Sequence, residues 1–318
     1  MNPKAKANYQ TAADVFDGWK DDVLCGKAPV LWPVGSGALE RIEVGPGLVT
    51  LIGGAPGAGK TAFTMQVVVD ALRLTTDLRA LVCNVEMPPA VLLDRQLARL
   101  SGVDATTIRY RRFTAEHAER LDQAMNTLQP LADRLAFVKP PFDLANVAAS
   151  ADAFGADLLL LDYIQRIAPP GEHGDKRGAV NATMDYLRQF ADADVGVLVV
   201  AAVGRTKDSK GRSSYSGDGL NLASFRESSE LEFGADDAHI LVPDEKDPDQ
   251  VVLRHLKSRH GETKDVVLQF DRACQRFADR DHTWNPNRPA GNVREALAAM
   301  WDRTPAAEDD EPGEGQNE

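Results

Sequence analysis

The sequence predicts an α/β fold built on a mostly parallel central sheet with an antiparallel C-terminal edge. Three observations carry that prediction. Short apolar runs alternate with helical segments through most of the chain, the pattern of parallel strands buried on both faces and joined by crossover helices. The first of these runs passes through a glycine-rich turn directly into a helix. Near the end, residues 238–242, 251–256 and 266–270 are apolar runs separated only by turns, as antiparallel neighbours are.

Taken in order, residues 11–25 set Val15, Phe16, Trp19, Val23 and Leu24 on one face of a short amphipathic helix that has nothing local to pack against. Residues 26–37 are rich in turn formers and read as a linker. Strands follow at 48–53, 79–84, 136–138, 158–161 and 195–202, and helices at 60–74, 89–100, 115–133, 144–154 and 181–193. These elements divide the chain into an amphipathic linker helix (1–28), an α/β domain (29–275) and a C-terminal extension (276–318). In the extension, Val293, Leu297, Met300 and Trp301 share one helical face that suits core packing or a protein partner.

The 318 residues suffice for one large domain with appendages, and 43% hydrophobic with 26% charged residues is ordinary for a globular chain. No run approaches the ~20 apolar residues of a membrane span, and the N-terminus lacks the apolar core of a signal peptide, so no membrane partner and a cytoplasmic location are expected. Cys25, Cys83 and Cys274 have no metal-ligand spacing and read as reduced, mostly buried residues. The net charge of −12 argues only weakly against nucleic-acid binding, because six acids fall in the last eleven residues. That tail has Pro312, Gly313 and Gly315 and no large apolar side chain, so disorder is expected there.

The strongest chemical signal is the strand followed by Gly54, Ala55, Pro56, Gly57, Ala58, Gly59, Lys60, Thr61 and Ala62, then a helix. Glycines let main-chain amides turn inward around a β-phosphate, and the helix N-terminus adds its partial positive charge. Lys60 is placed to bridge the β- and γ-phosphates of ATP, and the Thr61 hydroxyl to ligate Mg²⁺. The apolar strand 158–161 ends on Asp162, at the sheet edge where a magnesium-orienting carboxylate belongs. Tyr163 follows, so the carboxylate that activates water must come from elsewhere. Glu86, just past the second strand, can supply it if that strand neighbours the one before the loop.

With these motifs the chain resembles the ATPase domain of DnaB-type replicative helicases, a branch of the RecA-like fold, from about Asp14 to Phe270. Residues 83–88 (Cys-Asn-Val-Glu-Met-Pro) are similar to the family's catalytic-glutamate motif and 161–165 (Leu-Asp-Tyr-Ile-Gln) to its magnesium-aspartate motif. Residues 225–228 (Phe-Arg-Glu-Ser), followed by 235–238, are similar to its arginine-glutamate-serine segment. Lys257 and Arg259 stand where the family carries a lysine and an arginine finger that reach a neighbour's nucleotide. Alternation along a strand puts both cations on one side. The resemblance implies a hexameric ring of identical subunits, with the helix at Asp14 to Cys25 docked on the next subunit.

In such rings two loops line the central channel. Here the corresponding segments contain Lys176 and Arg177, and Arg205, Lys207, Lys210 and Arg212, a local basic surface suited to the backbone of single-stranded DNA. Tyr215 is the one aromatic residue nearby. A further basic cluster, residues 109–112, reads as a solvated approach to the next helix. Two departures stand out. The family's large N-terminal domain has no counterpart before the linker helix, and Ala202 takes the place of a glutamine thought to sense the γ-phosphate. The reading is therefore an ATP-hydrolysing motor on nucleic acid, with a regulatory ATPase switch acting on protein partners as its rival.

Overall fold

The computed structural model describes residues 9–171, 176–204, 206–207, 213–214, 225, 234–247 and 249–279. The strands are β1 (Val49–Gly54), β2 (Ala80–Asn84), β3 (Leu135–Phe137), β4 (Leu158–Asp162), β5 (Gly196–Ala202), β6 (Thr206–Lys207), β7 (Ser213–Ser214), β8 (Asp237–Pro243), β9 (Gln250–Ser258), β10 (Val266–Asp271) and β11 (Arg276–Asp279). The helices are α1 (Ala12–Leu24), α2 (Lys60–Leu74), α3 (Pro89–Ser101), α4 (Ala105–Arg109), α5 (Ala115–Leu128), α6 (Leu144–Phe154) and α7 (Lys176–Asp192). Among the described residues, no helix is long and apolar enough to cross a membrane.

One sheet runs in the order β11-β10-β9-β8-β1-β5-β4-β2-β3. From β8 to β3 all pairs are parallel, and β9, β10 and β11 continue it antiparallel, the arrangement the apolar runs predict. The β4 leucines, Leu158 to Leu161, are fully buried, as a strand covered on both faces must be. One face of the sheet packs under α2 and the 32–44 segment, and the other under α6 and α7. α2 is buried from Ala62 to Leu72, so it is an interior helix with almost no solvated side. Its Asp70 receives a two-pronged ion pair from Arg99 on α3, at 2.8 and 3.0 Å, with both side chains buried.

The structure corrects several expectations. β1 and β2 are not neighbours, because β5 and β4 lie between them. The second half of the expected linker is core: Trp32 and Val34 are buried, and the Trp32 amide donates to the Val44 carbonyl at 2.7 Å. The helix expected at 115–133 ends at Leu128, and a 3₁₀ turn over Gln129–Arg134 follows where Pro130 removes a backbone donor. Cys25 is exposed, while Cys83 and Cys274 are buried. Lys176 and Arg177 open α7 instead of lying on a loop. α4 and β11 are elements that the apolar pattern did not mark.

α1 forms as expected and buries none of its residues. A capping box starts it: the Thr11 hydroxyl accepts from the Asp14 amide, and the Asp14 carboxylate accepts from the Thr11 amide. Its apolar stripe lies open, with Phe16 52% and Trp19 58% exposed. Thr206–Lys207 and Ser213–Ser214 pair as a small antiparallel ribbon. Arg205, Lys210, Arg212, Tyr215, the 226–228 part of the arginine-glutamate-serine segment, and the tail with Val293 to Trp301 lie outside the described residues.

Candidate functional site

The sheet register brings four strand ends to one level. Gly54 of β1 pairs with Ala202 of β5, and Asn84 of β2 pairs with Asp162 of β4. Ligands of open parallel sheets collect at this C-terminal edge. From Gly54 the chain turns through residues 55–59 into α2. Gly59 is required in that turn: its φ is +91°, and a Cβ there would meet the Phe270 and Phe277 rings at 2.8 Å. α2 is in turn held to β11, because the Gln66 side-chain amide donates to the Phe277 carbonyl at 2.8 Å and accepts from its amide at 2.9 Å.

Lys60 folds into the cradle of the loop, donating to the Gly54 and Ala55 carbonyls at 2.8 and 3.0 Å. Burial lowers its pKa, while Asp162 and Glu86 oppose that shift. The Thr61 hydroxyl donates to Asp162 Oδ2 at 2.6 Å, and the Asn84 amide donates to the same oxygen at 2.8 Å. Burial raises the Asp162 pKa and Glu86 adds to the rise, against the Thr61 hydrogen bond and the charges of Lys60 and Arg95. A hydroxyl and a buried carboxylate converging beside a phosphate cradle are the hard oxygen donors that Mg²⁺ takes, so this pair fits that ion.

Lys60, Thr61 and Asp162 line a cavity of 520 Å³, within the range of small-molecule sites. Glu86 reaches it although its strand lies two away from β5, because the turn after Asn84 carries it back over β4. Asn84 Oδ1 shapes that turn by accepting from the Glu86 and Met87 amides at 3.0 and 2.7 Å. The sequence reading missed Asn84 and also Arg95, which lines the cavity from α3 beside Asp162. Arg95 has no local signature, since only the docking of α3 brings it to the site. Phe270, Arg272 and Gln275 form the opposite wall, and Arg272 donates to the Gly57 carbonyl at 3.1 Å.

Ala202 also lines the cavity, and Gln165 ties down its backbone, accepting from its amide at 3.2 Å and donating to its carbonyl at 3.4 Å. Lys257 and Arg259 do not line it. Lys257 donates to the Ala235 carbonyl at 2.7 Å, and Arg259 pairs with Asp236 at 2.8 Å. Burial lowers the Lys257 pKa, and the charge of Arg259 adds to that effect. Asp236, itself buried, also accepts from Arg188 at 2.6 Å and from the Val49 amide at 2.8 Å.

A glycine-rich loop entering a helix beside a parallel sheet, with Lys60, Thr61, Asp162 and Glu86 around one cavity, defines a nucleotide-binding P-loop protein of the RecA-like class. Within that class, the chain belongs to the DnaB-like helicase C terminal domain family, whose model matches residues 40–279. Over 262 residues it is 26% identical to the replicative DNA helicase DnaB of Pasteurella multocida (strain Pm70), covering 76% of this chain and 54% of that protein. The DnaB of Buchnera aphidicola subsp. Schizaphis graminum (strain Sg) is 24% identical over 246 residues, covering 73% and 51%. The chain thus spans about half the length of these curated relatives. Among solved structures, one isolated ATPase domain superposes with a TM-score of 0.74 at 18% identity, covering 86% of this chain and 99% of that one. A DnaB-like replicative helicase studied for its interactions with primase gives 0.72 at 18% identity, covering 87% and 68%.

Proposed function

We propose that this chain is an ATP-hydrolysing motor that assembles into a ring, most simply a hexamer, and translocates on or unwinds single-stranded DNA. The observation that carries the reading is the convergence of Lys60, Thr61, Asp162, Glu86 and Arg95 on one cavity. Lys60 leaves its two loop carbonyls and balances the β- and γ-phosphate charge of ATP. The main-chain amides of residues 57–61 cradle the phosphates. Thr61 and Asp162 would hold Mg²⁺, which when bound would neutralise phosphate charge. Glu86 orients water and accepts its proton, and Arg95 adds positive charge beside Asp162.

Assembly completes the site. Lys257 and Arg259 sit away from their own cavity, and we assign them to the nucleotide of the neighbouring subunit. α1 supports the same reading, because an amphipathic helix with no buried residue has its apolar face left for another chain. Residues 176–177 and 205–212 are assigned to the channel and to phosphate contacts with DNA. A protein partner of the C-terminal extension and a location in the cytoplasm complete the proposal.

The ATPase rate measured with and without single-stranded DNA tests it. Strong stimulation supports the motor. A rate indifferent to DNA but altered by a protein partner supports the switch instead. Replacing Arg205, Lys207, Lys210 and Arg212 together with Ala should flatten the salt dependence of DNA binding and leave the basal rate near normal.

A further inference from the structure

Away from the nucleotide cavity, three ligand-type side chains meet between β8 and β9. Asp237 and His239 lie two residues apart on one face of β8, and His255 stands opposite His239 on β9. The register shifts at Ala238/His239, and this irregularity lets Asp237 reach His255, whose Nε2 lies 3.0 Å from Asp237 Oδ1. The imidazoles stack with centroids 4.2 Å apart, and one ligand atom from each of the three residues lies within 4.8 Å of the others.

The cluster is buried and its polar atoms are only partly satisfied. Asp237 is 2% and His239 3% exposed. Among the described residues, Asp237 Oδ2 and both ring nitrogens of His239 have no hydrogen-bond partner. Each such atom destabilises the fold when left unpaired, because its hydration is lost without replacement. A neutral imidazole in this position offers one ring nitrogen with a free lone pair. An apolar pair at these positions would avoid the cost, so the cluster calls for a ligand.

We propose that Asp237, His239 and His255 form a structural site for a divalent cation of the zinc class, stapling β8 to β9. Two imidazole nitrogens and one carboxylate oxygen are three of the four donors of a tetrahedral Zn²⁺ site, and a water takes the fourth position. Tetrahedral bonds of ~2.0–2.1 Å need ligand atoms about 3.3 Å apart, so on loading the three groups close inward and the stacked rings tilt apart, turning an in-plane lone pair of each toward the ion. His255 Nδ1 accepts from the Lys264 amide at 3.3 Å, which puts the ring proton on Nε2, toward Asp237. On loading, that proton moves to Nδ1, Nε2 takes the cation, and the Lys264 amide turns to solvent from a long contact that is already exposed. The cation also stiffens the strand two residues before Lys257; that consequence alone rests on the assignment of Lys257 and Arg259 above.

The test uses the full chain without an affinity tag, stripped with chelator and returned to excess Mg²⁺. Zinc content by mass spectrometry should reach about one ion per chain, zinc should raise the melting temperature, and Co²⁺ should give the ligand-field absorption of a nitrogen-oxygen site. Asp237→Asn and His239→Leu should each weaken zinc binding by more than the ~10–100-fold that outer-shell partners contribute. His255→Asn, at the less buried position, repeats the test where a folding defect is least expected. Asp162→Asn should keep the zinc, which separates this site from the nucleotide cavity whether or not the ATPase reading stands. Absence of zinc from the parent chain at micromolar concentration, or unchanged binding in folded Asp237 and His255 variants, overturns the proposal.

Discussion

The Thr61 hydroxyl donates to Asp162 Oδ2 at 2.6 Å, tying the first turn of α2 to the end of β4. Lys60, one residue earlier, occupies the phosphate cradle through the Gly54 and Ala55 carbonyls. Lys60→Ala removes that cation and leaves the Thr61–Asp162 link intact. The variant should fold normally and lose nucleotide hydrolysis by at least ~100-fold, the scale of removing one charge-stabilising donor. Turnover near the parent rate would sink the phosphate-loop assignment.

Glu86 is placed by Asn84, whose side chain shapes the turn and also holds Asp162. Glu86→Gln preserves shape but cannot take a proton. ATP binding should persist while hydrolysis falls by roughly 10²–10⁴-fold, the usual contribution of a positioned base. A loss of only a few fold, read in a single-turnover assay, would move the base to another residue.

The sequence shows why these two residues were legible and others were not. The phosphate loop, Asp162 and Glu86 belong to contiguous motifs whose spacing is chemical, so they can be read without knowing the fold. Arg95, Phe270 and Arg272 meet the same cavity only through the docking of α3 and of the β10–β11 hairpin, and nothing in their neighbours signals it. The placing of Glu86 assumed adjacent strands, whereas β5 and β4 intervene. Strand order depends on crossover packing and is weakly encoded in any one segment. Trp32 escaped for a related reason: its Gly- and Pro-rich surroundings read as a linker, and its burial is set by the distant Val44 and Gly196.

The Asp70–Arg99 pair gives a stability prediction independent of catalysis. Both side chains are buried, and Arg99 Nε also donates to Gln96 at 2.8 Å. Arg99→Leu leaves Asp70, among the described residues, with the partly exposed Arg73 as its one ion-pair partner. Breaking a buried pair from one side costs about 3–5 kcal/mol. Urea unfolding should show a loss of that order, and replacing Asp70 with Asn in the same chain should recover part of it.

The open face of α1 predicts an assembly defect without a folding defect. Phe16 and Trp19 contact each other, with centroids 5.5 Å apart, and both are more than half exposed. Replacing both with Ser removes apolar surface whose burial is worth about 1.5–3 kcal/mol per side chain. Sedimentation should show the ring dissociating at protein concentrations at least ~10-fold higher than for the parent. The melting temperature of the dissociated chain should not change, because α1 has no core contact to lose. A stable ring in the double variant would separate α1 from assembly.

Arg259 tests site and assembly together. In the single chain it pairs with Asp236, and Asp236 keeps Arg188 at 2.6 Å as a second partner. In the proposed ring, Arg259 could therefore swing to a neighbour's γ-phosphate without leaving a bare buried carboxylate. Arg259→Ala should leave ATP binding unchanged, since Lys60, Thr61 and Asp162 are untouched, and hydrolysis should fall by ~10³-fold or more, as arginine fingers contribute elsewhere. Mixing decides where the residue acts. A Lys60→Ala subunit has a dead pocket and a good finger, and an Arg259→Ala subunit has a good pocket and no finger. Co-assembled, the two should regain part of the activity that neither has alone, because some pockets then face an intact finger. If mixed rings form and no activity returns, Arg259 acts only within its own subunit, as the partner of Asp236, and the shared site is lost as an explanation.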